Sequence, residues 1–235
     1  MQDLGSAFLI AADLVLRADP ALVAIVALSL KVSLSAVAIA CLIGLPFGAW
    51  LAVTRFRGRP AVLVALNSCM GMPPVVIGLL VYLVLSNAGP LGALQLLYTP
   101  TAMIVAQTLL VAPIVAGLSR QVIEDLDAEY DVYLRSLGLG GAGRLTTLLV
   151  DARYSLLTTV LAGFGRAIAE VGAVMIVGGN IDRVTRVMTT AIALETSKGN
   201  IALALGLGLV LILVAVAVNA AVMALRATAA RSAYA

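Results

Sequence analysis

Apolar runs separated by short polar connections set the pattern of this chain, and five of them approach the roughly 20 residues that cross a hydrocarbon core of about 30 Å. They are assigned to residues 32–54, 61–86, 101–119, 154–177 and 201–225. The first lies inside a longer run, Ala21 to Thr54, that exceeds one crossing. Asp19 as N-cap and Pro20 at the first helical position start that helix outside the lipid, with Lys31 marking the membrane boundary. Ahead of it, Leu4 to Leu16 is apolar but broken by Asp13 and followed by Arg17, Asp19 and Pro20, which predicts a short interfacial helix. That segment lacks the basic n-region of a cleaved signal peptide. The pattern predicts an all-α integral membrane protein with five transmembrane helices in one domain, residues 1–235.

The longest connection, residues 120–153, carries a pattern of its own. In "EDLDAEYDVYLRSL", Leu126, Tyr130, Leu134 and Leu137 recur at helical spacing and acids crowd the early turns. In "RLTTLLVDARYSLL", Leu145, Leu148, Leu149 and Ala152 keep the helical period into the fourth span. Between them stands "GLGGAG", Gly138 to Gly143, which reads as the dinucleotide fingerprint G-x-G-x-x-G. The fingerprint needs a strand before its glycines within a βαβ unit, and here a helix precedes them. Gly138 is expected instead to end the first helix in a left-handed conformation. A short rigid helix hung between spans suits a docking element that passes movement to or from a partner.

Basic residues orient the chain, because basic loops stay in the cytoplasm. Arg55, Arg57, Arg59, Arg120, Arg135, Arg144, Arg153, Arg226 and Arg231 fall on one side, against Arg17, Lys31, Arg183, Arg186 and Lys198 on the other. The expectation is an external N-terminus, an internal C-terminus and a cytoplasmic 120–153 connection.

Composition removes whole classes of chemistry. Hydrophobic residues make up 62% and charged ones 11%, with a mean hydropathy of +1.11, far from a soluble domain. Histidine is absent, which takes away the commonest general base and imidazole ligands, so no metal site and no catalytic residue is assigned. Cys41 and Cys69 lie in apolar runs and read as small buried hydrophobes. The net charge of +3 belongs to membrane asymmetry, and no basic patch interleaved with aromatics points to nucleic acid. No G-x-x-x-x-G-K-[ST] loop occurs, so the chain cannot cradle ATP by that means; any ATP dependence, with its Mg, would come from a partner, and no cofactor is expected on this chain. A secondary transporter or channel for a small solute is the alternative; it would usually show inverted repeats and intramembrane carboxylates, and only one carboxylate lies deep in a span.

Several features are candidates for a translocation path or gate. In "GMPPVVIG", Gly71, Met72, Pro73 and Pro74 must break or kink the second span, either as pore lining or as a packed kink. Arg166 and Glu170, four apart in the fourth span, either line the path or form a structural pair. The outer segment "NIDRVTRVMTTAIALETSKGN" predicts a short helix with Val184, Val187, Met188, Ala191 and Ile192 on one face, and it includes Thr189 and Thr190. Gly44 with Gly48 and Gly165 with Ala169 favour close helix approach, within the chain or between two copies.

The stretch "RSLGLGGAGRLTTLLVDARYSLLTTVLAGFGRAIAEVGAVMIVGGNI" resembles the cytoplasmic loop and following span of permease subunits of ATP-binding-cassette importers, and the similarity extends over most of the chain. In that family an E-A-A-x-x-x-G motif forms a coupling helix that fits a cleft on the ATPase subunit. Aligned on Gly138, the E-A-A positions hold Val132, Tyr133 and Leu134, and Val150 with Asp151 stand where Leu-Pro is frequent. "DARYSLL", "GFGRAIAEVGAVMIVGGNI" and "MTTAIALETSKGN" resemble the tungstate-type oxyanion permeases, near the molybdate and sulfate branches. The resemblance implies a type I fold in a bacterial or archaeal cytoplasmic membrane. It implies ATPase coupling through Tyr130, Asp131, Tyr133, Leu134, Arg135, Ser136, Leu137 and Gly138. Implied partners are a second copy of the chain, two ATPase subunits and an extracytoplasmic oxyanion-binding protein that docks on the outer segment.

Overall fold

The computed structural model describes Asp13, Leu16, Arg17 and residues 19–233, with side chains described through Ala224. Apart from Asp13 and Leu16, the interfacial helix expected at Leu4 to Leu16 lies outside the described residues, as do the side chains of Arg226 and Arg231. The described elements are helical: α1 (Pro20–Val53), α2 (Arg59–Met70), α3 (Pro74–Leu85), a 3-10 turn at Gly92–Leu94, α4 (Pro100–Ser136), α5 (Gly141–Asp151), α6 (Arg153–Ile168), α7 (Gly172–Gly178), α8 (Met188–Ser197) and α9 (Ile201–Ala233). Three of them, α1, α4 and α9, are long and apolar enough to cross a membrane. The count rises to five if α2 with α3, and α5 with α6, each form one broken span.

Helix α1 starts where its residues dictate. The Asp19 carboxylate accepts hydrogen bonds from the N–H groups of Ala21 and Leu22 at 2.9 and 3.1 Å, and Pro20 occupies the first helical position. Large apolar side chains along α1, α3 and α9 stay exposed, among them Leu42, Ile43, Leu80, Leu83, Ile212 and Val216. Lipid tails are as apolar as these side chains, so the bands need no protein cover. Aromatic rings stand near the ends of the apolar segments: Phe47, Trp50 and Phe56 stack in succession at 5.9 and 5.4 Å, and Tyr82 meets Tyr98 edge-on at 6.5 Å. Amphipathic rings favour the headgroup level.

Contacts divide the chain into two compact units that interleave along the sequence. One comprises Met1–Ala36, Pro73–Gln107 and Ala167–Asn219. In it α3 and α7 meet where Gly78 leaves room, since a Cβ there would lie 2.7 Å from the Ala173 Cα. The N–H of Tyr98 donates to the Val177 carbonyl at 2.9 Å, and that of Met188 to the Ser29 hydroxyl at 2.7 Å. The other unit comprises Val37–Met72, Thr108–Arg166 and Ala220–Ala235. Here Gly44 and Gly48 let α1 approach α4 backbone to backbone: a Cβ at Gly44 would stand 3.0 Å from the Ala112 carbonyl oxygen, and one at Gly48 would collide with that of Ala116. The Ser119 hydroxyl, fully buried, donates to the Leu45 carbonyl at 3.1 Å across the same seam. The small residues at 44 and 48 thus serve packing within one chain.

Three expectations are corrected. The acid-rich stretch after Ser119, expected as a separate amphipathic helix, is the continuation of α4, which runs unbroken to Ser136. The fourth span, expected as one helix over 154–177, is α6 and α7 with a break at Ala169–Val171. That removes the Gly165–Ala169 pair from a common helical face; Gly165 faces open space, and Gly163 packs on Val111 and Val115 instead. In the outer segment the helix begins only at Met188, so Val184 stands apart from the helical face and is exposed.

These packing differences separate two glycines. Gly48→Ala is expected to lower the thermal midpoint of the detergent-solubilised protein, because the added methyl overpacks a carbonyl seam at a cost of about 1–3 kcal/mol. Gly165→Ala should leave the midpoint unchanged or raise it, since helical propensity favours Ala by up to about 1 kcal/mol. Fluorescence-detected thermal scans of the two variants beside the parent check the contrast.

Candidate functional site

The turn between α4 and α5 answers what the glycines at 138–143 do. The N–H of Gly138 donates to the Arg135 carbonyl at 3.0 Å and that of Leu139 to the Leu134 carbonyl at 3.1 Å, with Gly138 at φ +66°. This pair of bonds is the Schellman ending, which requires a left-handed residue that glycine adopts without Cβ strain. Leu139 then folds back onto a core of Ile123, Leu134, Leu148, Ala152 and Leu156. A bend of 73° between α5 and α6 completes an elbow whose hinge residue, Ala152, is buried.

Charge fixes the elbow as firmly as packing does. Glu124, Asp127 and Asp131 lie along one face of α4. Arg144 of α5 binds Asp127, and its Nη2 stands 2.9 Å from Asp131, while Arg135 binds Asp131 from its own helix at 2.9 Å. Arg59 of α2 reaches Glu124 at 2.8 Å and donates to the Leu51 carbonyl at 3.2 Å; Arg120 binds the other oxygen of Glu124. Arg144, assisted by Arg135, holds the Asp131 carboxyl below the usual carboxylate range. Sequence reasoning missed this lattice. Its signal was the spacing of Glu124, Asp127 and Asp131, which places three acids on one helical stripe.

The residues expected to couple to an ATPase separate into two groups. Tyr133 is 64% exposed and Leu137 54%, and Arg135, Ser136 and Gly138 are exposed beside them; Val132, outside the expected set, is 82% exposed. Leu134 is fully buried, Tyr130 packs against the same core and Asp131 is engaged by two guanidinium groups. Leu134 is therefore a core residue of the elbow and is not available to a partner. The exposed apolar patch is Val132, Tyr133 and Leu137.

The candidate path residues occupy two breaks. Between α2 and α3, the Met72 N–H donates to the Cys69 carbonyl at 3.3 Å, Pro73 is extended at ψ 129°, and its carbonyl receives the N–H groups of Val76 and Ile77. Pro74 sits at the first position of α3, where no N–H is needed. The span is interrupted rather than kinked. Between α6 and α7, Arg166 lies in the last turn of α6, half-buried, and Glu170 is 3% exposed two residues beyond the helix end. The Glu170 carboxylate accepts the N–H of Ala173 at 3.1 Å, capping the first turn of α7, and its carbonyl accepts the Thr189 hydroxyl at 2.8 Å. Thr190, fully buried, exchanges hydrogen bonds with the backbone of Val187 and so caps α8. Beside Glu170 lies a small pocket of about 10 Å³ lined by Ser29, Ser33, Gln107 and Thr189 together with Val32, Ile168 and Val187. Thr189 therefore ties α8 to the backbone at Glu170, while Thr190 caps its own helix.

Comparison with known proteins follows the same lines. The family described as "Binding-protein-dependent transport system inner membrane component" matches residues 44–232. The chain is 41% identical over 200 residues to the tungstate uptake system permease protein TupB of Peptoclostridium acidaminophilum, covering 85% of this chain and 88% of that one. It is 44% identical over 187 residues to a probable anion ABC transporter permease protein of Haloferax volcanii, covering 77% and 80%. TupB of Campylobacter jejuni is 37% identical over 148 residues, 63% of this chain and 62% of that one. Permease proteins of molybdenum and sulfate transport systems are more distant. With its apolar helices and its match over most of its length, this chain is a multi-pass membrane protein that belongs to the binding-protein-dependent transport system inner membrane component family.

Proposed function

We propose that this chain is the permease subunit of an ATP-driven importer for a tetrahedral oxyanion, tungstate first and molybdate or sulfate next, in the cytoplasmic membrane of a bacterium or archaeon. One observation carries the reading: a rigid elbow presents Val132, Tyr133 and Leu137 to solvent at the positions of the family's coupling motif. The names of the relatives supply the cargo.

In this reading the ATPase grips the elbow. Helix α4 is continuous from Pro100 to Ser136, so a push on Tyr133 acts on the same rod that crosses the membrane. The Arg144 lattice ties α5 to that rod, and α5 leads through the bend into α6. Five spans, with α2–α3 counted once and α6 with α7, rather than α5 with α6, taken as the fourth, leave the N-terminus outside and the C-terminus inside, and the arginine distribution supports that orientation. Two copies related by a two-fold axis enclose the path, since five helices are few to surround a hydrated anion. ATP and Mg belong to the ATPase.

The two breaks are the moving parts. Gly71 to Pro74 and the segment from Arg166 to Glu170 supply irregular backbone and charge at membrane depth, where either survives only against protein or water. Arg166 offsets the charge of the passing anion, and Glu170 keeps it from lodging. Thr189 couples the outer helix α8 to the carbonyl of Glu170, so that docking of the binding protein outside is felt at the break.

The docking face is tested with the full chain and its ATPase. Val132→Asp with Tyr133→Asp abolishes co-purification, as loss of apolar anchors at an interface centre costs about 2 kcal/mol or more each. Leu134→Ala acts on the permease itself, lowering its thermal midpoint through a core loss of about 2–5 kcal/mol. Retained co-purification by the double variant sinks the proposed face. In proteoliposomes holding permease, ATPase and binding protein, tungstate is expected to stimulate ATP hydrolysis several-fold; uptake driven by an ion gradient without the ATPase would overturn the transport reading. Thr189→Val, which removes a hydrogen bond of about 1 kcal/mol, keeps the ATPase bound but raises hydrolysis in the absence of cargo, measured as phosphate release.

A further inference from the structure

The elbow borders an open cavity of about 820 Å³ between the ends of α1 and α2, the tail of α4 and the start of α5. Its walls are charged, and the charges do not balance. Three carboxylates face it, Glu124, Asp127 and Asp131, and each is already bound: Glu124 by Arg59 and Arg120, Asp127 by Arg144, Asp131 by Arg144 and Arg135. Arg55 also lines the cavity and makes no ion pair among the described residues. Arg135 commits one edge of its guanidinium to Asp131 and remains 73% exposed, with donors left over. Gly140 and Gly141 line it too: an added Cβ at either would meet nothing within 4 Å, and no side chain caps α5. The walls thus offer guanidinium donors beyond what their own carboxylates consume, together with N–H groups at a helix start.

We propose that this cavity binds a tetrahedral oxyanion, held between Arg55 and Arg135 against the glycine wall. Two sources share that chemistry. One is the phosphate of an anionic lipid headgroup, which meets basic pockets at the cytoplasmic surface. The other is a free anion of the cytosol, such as phosphate or tungstate. A bound anion neutralises the excess charge beside the Arg144 lattice, and it therefore sets the stiffness of the elbow. The site is separate from the path residues and stands whether or not the transport reading does.

The test uses the full chain without an ATPase. One arm places it in phosphatidylcholine nanodiscs and titrates sodium tungstate, then sodium phosphate, against sodium chloride at matched ionic strength by calorimetry. The other counts phosphatidylglycerol adducts by native mass spectrometry in detergent. Saturable uptake of one anion per chain is expected in at least one arm; the titration arm alone identifies a soluble anion and the adduct arm alone a headgroup. Arg55→Gln with Arg135→Gln weakens that binding about tenfold or more, from the loss of charge-assisted hydrogen bonds. Arg55→Gln by itself, which breaks no ion pair, weakens it several-fold, and the Arg55→Lys, Arg135→Lys pair retains most of it. No binding by the native chain in either arm, or binding that Arg55→Gln and the double glutamine variant leave unchanged, overturns the proposal. Because neither arm reads ATP hydrolysis or uptake, its failure and the failure of the transport reading are told apart.

Discussion

A helix may stop inside a hydrocarbon layer only when something else takes up the N–H and C=O groups that it abandons, and each unsatisfied group there costs several kcal/mol. Both breaks in this chain obey that constraint by different chemistry. At Gly71 to Pro74 the donors are deleted: two consecutive prolines have no N–H, and the Pro73 carbonyl receives the first turn of α3. At Ala169 to Val171 the donors are kept: the N–H of Glu170 donates to the Ala167 carbonyl at 3.2 Å, and the Glu170 carboxylate takes up the N–H of Ala173 in the first turn of α7. The first solution is fixed in covalent structure. The second rests on the Glu170 carboxyl and the Thr189 hydroxyl keeping their hydrogen bonds, so in the proposed transport cycle the α6–α7 break is the one open to change.

The same logic organises the seam of α1 and α4. Without a hydrophobic drive between helices in lipid, close backbone approach supplies the dispersion contacts, and Gly44 and Gly48 permit it. Ser119 uses that closeness, since its hydroxyl reaches the Leu45 carbonyl only because no side chain intervenes. Directly beyond this seam α4 leaves the apolar region and becomes the acid-striped rod of the elbow. Its stiffness is inherited from the seam, which holds one end of the lever, while Arg59 and Arg144 hold the other.

Much of this was legible in the residues. Asp19 and Pro20 announced a helix start, the double proline a break and Gly138 a helix end, because each signal is local and its chemistry is confined to a few neighbouring atoms. What escaped was set by context. The run after Ser119 looked like a separate helix because its polarity changes abruptly, yet polarity reports the solvent and not the end of the hydrogen-bond ladder; nothing between Ser119 and Ser136 breaks that ladder. The α6–α7 break escaped for the opposite reason. Ala169, Glu170 and Val171 contain no proline, and the capping of Ala173 and the tie from Thr189 that accompany the interruption have no local pattern to announce them.

The buried position of Leu134 shows how far a motif can be carried by alignment. Three consecutive helical residues point about 100° apart, so a triplet cannot present all its side chains to one partner. The elbow turns Val132 and Tyr133 outward, and Leu134 closes the core under the Schellman turn, where Leu139 packs against it. A large apolar residue at 134 thus secures the turn, and large apolar residues at 132 and 133 fill whatever groove receives them. Small residues at these positions would leave a narrower ridge than Val132 and Tyr133 make. In the proposed docking the groove that accepts this elbow is correspondingly wide and apolar, so the identity of the partner would be written in the volume of two side chains as much as in the elbow that displays them.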